Sequence, residues 1–399
     1  MSAAPEIPPP VSSEDVVALL SDLVAIPSVN PLHGDETTAP YGEAALGAFV
    51  ASYARGLGLT AESQPALPGR ANILVRLPGA STLPPLLLEC HLDTVPGWDG
   101  EPNPFHPRVA DGRLYGRGAC DVKGTLAAML LALRQIVRAG ETPFRGVVLA
   151  ATVDEEHRAR GVHALATSGE RFGAAIVGEP TELAIVVAHK GCIRWRLTTR
   201  GRSVHSSKAE LGQNAVEDMI DILADVRRDL LPRLAERRHP SLGPPTLTIG
   251  TCHGGDAVNV VPDLCVVEID RRMVPGETAE EVDAELRAAV DRACRQVPRT
   301  RIEISAPFVA ESPVETPPDA AIVRELTRAI QRQGIPARQL AVPYGTDASA
   351  LQAVGVPSVV FGPGTIDVAH TREESVEVSQ VVQAAEILAT LIRLGPEKS

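Results

Sequence analysis

The chain has 399 residues, 44% hydrophobic and 22% charged, with a net charge of -12. That length allows two domains with buried cores, and the composition excludes a disordered chain or a small disulfide-stapled scaffold. The acidic balance, with no local stripe of lysine and arginine to reverse it, argues against nucleic acid as a partner.

The first eleven residues, "MSAAPEIPPPV", lack the basic and apolar stretches of a secretory leader, and no run approaches the roughly 18 apolar residues of a membrane span. A cytoplasmic location without membrane contact is the expectation. Ser12 is placed to cap a first helix, with Asp15 three residues on and Val16, Leu19, Leu20 and Leu23 at helical spacing; Pro27 ends it. A second helix is predicted near Tyr41 to Leu57, with Gly58 just past its end.

Apolar runs then alternate with helical patterns: "NILVRL", "PLLLE", a helix from about Gly124 to Arg138, "GVVLAATV" and "AAIVGE". This alternation predicts an α/β sheet covered by helices. After about Ala188 the order becomes strand, helix, strand, strand, helix, strand, from "CIRWRLTTRG" to "RIEISAPF", which is an α+β sandwich in its own right. It reads as an insertion over 189–308 in a discontinuous domain of 1–188 and 309–399, where the helix "DAAIVRELTRAIQRQG" and the strand "PSVVFG" resume the first pattern. Six cysteines show no CxxC spacing and read as reduced thiols.

Chemistry-bearing residues stand where apolar strands end. His91 closes "LLLECH", with Asp93 two residues later as a carboxylate able to orient the imidazole. Asp121 lies among Gly116, Gly118 and Gly124 ahead of a helix, where a simple N-cap is the alternative. Glu155 and Glu156 follow Asp154 at the end of "VVLAATV", Glu179 follows "AAIV", and His370 lies in the Gly/Pro loop after the last strand. In open α/β sheets ligands bind at the carboxyl ends of strands. Mixed imidazole and carboxylate donors suit zinc, and cations between them offset the repulsion among clustered acids.

The ordered set HxDxVPG, GRGxCDxKG, DEE, GEPT, AHKG, GxSxHSS, HGGDAxN, DxR, YGTDA and GPG…AHTxxE resembles the co-catalytic zinc family of acetylornithine deacetylases, succinyl-diaminopimelate desuccinylases, aminoacylases and carboxypeptidases. The resemblance runs from about residue 12 to 385. It implies a zinc-exopeptidase-like catalytic domain with a central mixed sheet, and an inserted ferredoxin-like domain acting as lid and dimerisation module. It implies one zinc on His91, Asp121 and Glu179, a second on Asp121, Glu156 and His370, and a cis peptide after the bridging Asp121. Cobalt or manganese could replace either zinc. Glu155 is implied as general base, and His205 as an oxyanion donor reaching the partner subunit of a homodimer.

Asn259 and Arg272 are implied as substrate contacts, although a turn asparagine and an Arg272–Asp270 pair are the plain alternatives; Gly345, Thr346, Asp347 and Gly364 are expected to line the cleft. "GEPTELAIVVAHKGCIRWRL", "HGGDAVN" and "VPYGTDASAL" favour N-acetylornithine as substrate. A succinylated substrate or a peptide is the alternative within the family, and a non-catalytic zinc-binding scaffold the alternative outside it. His157 has no predicted role.

Overall fold

The computed structural model describes residues 9–31, 41–97, 103–297 and 300–396. By Cα proximity the chain forms two units, one of 1–187, 316–340 and 346–399, the other of 188–315 and 341–345. The first unit holds most of a large mixed sheet. Its strands run in the order Thr60–Leu67, Arg70–Leu77, Val147–Thr152, Leu86–His91, Ala174–Val177, Ser358–Val360 and Ile185–His189. The four strands from Val147–Thr152 to Ser358–Val360 are mutually parallel, so their carboxyl ends share one edge.

Leu86–His91 and Val147–Thr152 are buried at every position, as continuous apolar runs in a covered parallel sheet must be. Helix Lys123–Arg138 packs against Val378–Leu394 and Ser13–Ala25. The first helix carries the capping box read from the sequence, Ser12 Oγ accepting from the Asp15 amide and the Asp15 carboxylate accepting from the Ser12 amide, both at 3.1 Å. The second helix, Ala44–Gly56, begins later than its apolar pattern suggested.

The second unit has an antiparallel sheet in the order Thr246–Gly254, Leu264–Met273, Gly191–Arg200, Arg301–Ile304. Helices Ala215–Glu236 and Ala279–Cys294 cover one face, burying Ile193, Trp195 and Leu197 of the central strand. This is the ferredoxin-like pattern the element order implied. The unit extends past residue 308, because strand Val309–Glu311 pairs with Gly191–Arg200 in the register Val309↔Arg194. Gly345 also belongs to it. Among the described residues no helix is long and apolar enough to cross a membrane, and all six cysteines are free thiols, Cys252 exposed and Cys294 half-buried.

Candidate metal centre

The parallel strands deliver their terminal residues to a common point. His91 ends one strand, in register with Thr152 at the end of its neighbour. The chain beyond Thr152 turns through Asp154, which has left-handed backbone (φ 73), into a short helix Glu155–Arg158. Glu179 follows the strand Ala174–Val177, and His370 lies on the loop after Ser358–Val360 with φ 59.

His91 Nε2 lies 3.1 Å from Asp121 Oδ1, 3.9 Å from Glu179 Oε1 and 4.0 Å from Glu155 Oε2. His370 Nε2 lies 3.2 Å from Asp121 Oδ2 and 3.0 Å from Glu156 Oε1. Asp121 thus turns one oxygen to each imidazole. The potential ligand atoms form two groups, His91 with Glu155 and Glu179, and Asp121 with Glu156 and His370, each within 4.8 Å. The peptide bond after Asp121 is cis.

The charge balance fits two dications. Burial pushes Glu155 and Glu179 well above the ordinary carboxylate range, partly offset by His91, and raises Glu156 as well. For Asp121 burial also opposes ionisation, yet the hydrogen bonds to His370 and His91 hold its pKa below the usual value. Those to Asp121 and Glu156 push His370 up to about 10. Among the described residues no lysine or arginine pairs with Asp121, Glu155, Glu156 or Glu179. His91 Nδ1 lies 2.9 Å from the Asp93 carbonyl, which can only accept, so that nitrogen carries the proton. Its Nε2 faces Asp121, itself an acceptor, so a proton or a metal cation has to lie between them; although burial opposes the charged ring, the hydrogen bond to Asp121 and the neighbouring Glu155 and Glu179 hold the His91 pKa well above its ordinary value.

The sequence pattern of Peptidase family M20/M25/M40 matches residues 87–394. The chain belongs to this family. Similar solved structures are a tripeptidase from Staphylococcus aureus (21% identity, TM-score 0.78, covering 96% of this chain and 98% of that one), an M20 family metallo-carboxypeptidase from Sulfolobus solfataricus (19%, 0.76, 95% and 98%) and an amidase of the hydantoinase/carbamoylase family from Burkholderia multivorans (18%, 0.64, 96% and 98%). At these identities they speak for the fold. M20 membership and the two ligand clusters together support a metal-dependent amidohydrolase or peptidase.

Around this M20 centre the predicted residues are placed differently from one another. Asp93 meets His91 through its backbone carbonyl, with Oδ1 3.7 Å from Nδ1. Its carboxylate instead accepts the amides of Glu155 and Glu156, both at 3.0 Å, and Asn30 Nδ2 at 2.7 Å. It therefore caps the short helix, whose own N-cap side chain does not. Thr346 and Asp347 are buried in the first unit. Gly364, at φ 86, donates its amide to Gln380 Oε1 (2.8 Å); a Cβ there would stand 2.6 Å from Cys120 Sγ, so only glycine fits.

In the second unit His205 is exposed, its Nδ1 2.8 Å from Ser207 Oγ, and Asn259 is exposed with its carbonyl accepting from the Ser206 amide. Arg272 pairs with Asp270 at 2.9 Å. His157 lies 3.9 Å from Asp154 and is lowered in pKa by burial.

Two supports were not foreseen. The Glu374 carboxylate accepts the amides of Cys120 and Asp121, each at 3.1 Å, and pairs with buried Arg117. In the sequence it is the closing acid of AHTxxE, four residues after His370, a position that the motif marks without a role. Behind Glu155, Arg70 bridges Glu43 and Asp154, and Arg160 holds Asp154 from the other side. Nothing local in the sequence marks Arg70 or Glu43, since their partners lie far along the chain.

Proposed function

We propose that this M20 protein is a dinuclear zinc hydrolase that removes the acyl group from an N-acyl-amino acid, with N-acetylornithine as the first candidate. The observation that carries the reading is the bridging arrangement of Asp121 between His91 and His370, with Glu155 beside His91 and, among the described residues, paired with no lysine or arginine. His91, Asp121 and Glu179 would hold one zinc, and Asp121, Glu156 and His370 the other; cobalt or manganese suits the same donors. When bound, the metal pair supplies Lewis acidity for the amide carbonyl and acidifies water.

Glu155 takes the proton from the attacking water and returns it to the departing amine. Burial raises its pKa above the ordinary carboxylate value, which favours acceptance of a proton by this side chain. His205 donates to the developing oxyanion from the partner subunit of a homodimer, and Asn259 and Arg272 contact the substrate. The division of labour is a catalytic first unit and a second unit that serves as lid and dimerisation domain, in the cytoplasm. Peptides are the second reading, favoured by the S. aureus and S. solfataricus structures, which are a tripeptidase and a carboxypeptidase.

The test is a panel of N-acetyl-, N-succinyl- and N-formyl-amino acids plus di- and tripeptides, ranked by kcat/KM with Zn(II) or Co(II). Preference for peptides or succinyl groups would replace N-acetylornithine, and equal background activity in wild type and Glu155→Ala would refute an enzyme.

A further inference from the structure

Two of the six thiols meet in the small sheet. Strand Thr246–Gly254 lies at the edge of that sheet and pairs with Leu264–Met273 in the register Cys252↔Val267, Gly254↔Cys265. Side chains alternate between the faces of a sheet, so Cys252 and Cys265 project on the same face as diagonal neighbours. Their sulfurs stand 3.9 Å apart. Cys265 is wholly buried in the core of this unit, whereas Cys252 is exposed.

That spacing fits a shared ion better than a disulfide. A disulfide needs sulfurs at about 2.05 Å and Cα atoms within about 6.8 Å, whereas diagonal strand neighbours lie about 7–8 Å apart. Two thiolates bound to one cation at about 2.3 Å each stand about 3.8 Å apart at a tetrahedral angle and about 4.6 Å apart in a line. The observed separation corresponds to an angle of about 115° at the ion, close to trigonal.

The donor set decides which ion. Among the described residues no imidazole or carboxylate adds a third ligand atom within 4.8 Å of both sulfurs. Zinc in a structural site takes four ligands, and calcium, magnesium and manganese prefer oxygen, so a bare pair of thiolates is a poor host for them. Soft sulfur donors select Cu(I). Burial and the neighbouring Cys252 push the Cys265 thiol up to about 11, so it keeps its proton until an ion displaces it.

We propose that Cys252 and Cys265 form a site for a soft monovalent cation, Cu(I), different in donor chemistry from the centre of His and carboxylate ligands. The ion enters at exposed Cys252 and is then shared with Cys265. Each sulfur releases its proton to solvent as its bond to the ion forms, and no electron is transferred. A donor from solution completes the trigonal set. The bound ion ties the edge strand Thr246–Gly254 to Leu264–Met273, and its binding does not depend on the hydrolase reading.

The test titrates the full chain, with zinc on its His and carboxylate centre, excess metal removed and thiols reduced, against the coloured Cu(I)–bicinchoninate complex without oxygen. Wild type is expected to withdraw one equivalent of Cu(I) and to gain a thiolate-to-copper absorption band in the ultraviolet. Cys252→Ser, at an exposed position, should weaken withdrawal at least about a hundredfold, more than loss of a partner outside the donor set costs. Cys265→Ala should weaken it alike, while Cys294→Ser, which alters a half-buried thiol elsewhere in the unit, should leave it unchanged. No withdrawal by wild type, equal withdrawal by wild type and Cys252→Ser, or withdrawal without the thiolate band would each overturn the proposal.

Discussion

Asp93→Ala tests the helix-capping role of that residue. The carboxylate accepts the Glu155 and Glu156 amides at 3.0 Å each and Asn30 Nδ2 at 2.7 Å, and it is wholly buried. Hydrogen bonds to a charged acceptor are each worth about 1.5–3 kcal/mol. Glu155 and Glu156 are only partly buried, so water can reach their amides, and the lower end applies: about 3 kcal/mol for the two amides together. Asp93→Asn keeps one oxygen acceptor but turns an NH2 group towards the second donor, so an intermediate loss is expected. The assay is urea unfolding with a chelator present, which removes the linkage between metal binding and folding. In the metal-loaded chain kcat should drop about a hundredfold, the effect of displacing a reacting group by an ångström. An Asp93→Ala chain within about 1 kcal/mol of wild type, with kcat within about threefold, would refute the capping argument.

Four further outcomes follow from the same geometry. Glu155→Gln should lower kcat by a factor of about 10² to 10⁴ while metal content, measured by elemental analysis, stays at the wild-type value. Asp121→Ala should reduce bound metal more than either His91→Ala or His370→Ala, because one oxygen faces each imidazole; equal stoichiometry in all three would contradict bridging. Arg70→Met leaves Glu43 and Asp154 buried without their shared cation and should cost about 3–5 kcal/mol in chemical denaturation. Burial holds His189 at about 4, below its ordinary 6.5, so the folded chain refuses a proton that the unfolded chain accepts. Its contribution is complete above pH 6.5 and falls by roughly 3 kcal/mol as the pH drops to 4, a slope that His189→Gln should flatten in pH-dependent unfolding.

The fold and the ligands were legible where the signal is local. Strand Val147–Thr152 is a plain apolar run, Ser12 and Asp15 spell a capping box, His91 and Glu179 stand at or just past strand ends, and His370 lies in the Gly/Pro loop after Ser358–Val360. The three-residue strands Arg108–Ala110, Arg113–Tyr115 and Ser375–Glu377 were not legible, because three residues carry no periodicity. Nor was the manner in which Asp93 acts. Its spacing from His91 suggests a carboxylate–imidazole contact, but choosing carbonyl over carboxylate requires knowing that the Glu155 and Glu156 amides arrive alongside. The second unit's end at Glu315 depends on the pairing of Val309–Glu311, a contact made more than a hundred residues back along the chain.

The hold of Glu374 on the Asp121 amide spans 253 positions. During synthesis at about 5–20 residues per second, His91, Asp121, Glu156 and Glu179 all emerge well before His370 and Glu374. A nascent chain therefore exposes an incomplete donor set for many seconds, and the clasp that fixes Asp121 closes only when almost the last helix is being made. The set of Asp121, Glu156 and His370 is therefore complete only in the nearly finished chain, and a ribosome-bound fragment ending before residue 370 should hold less metal against a chelator than the full-length protein.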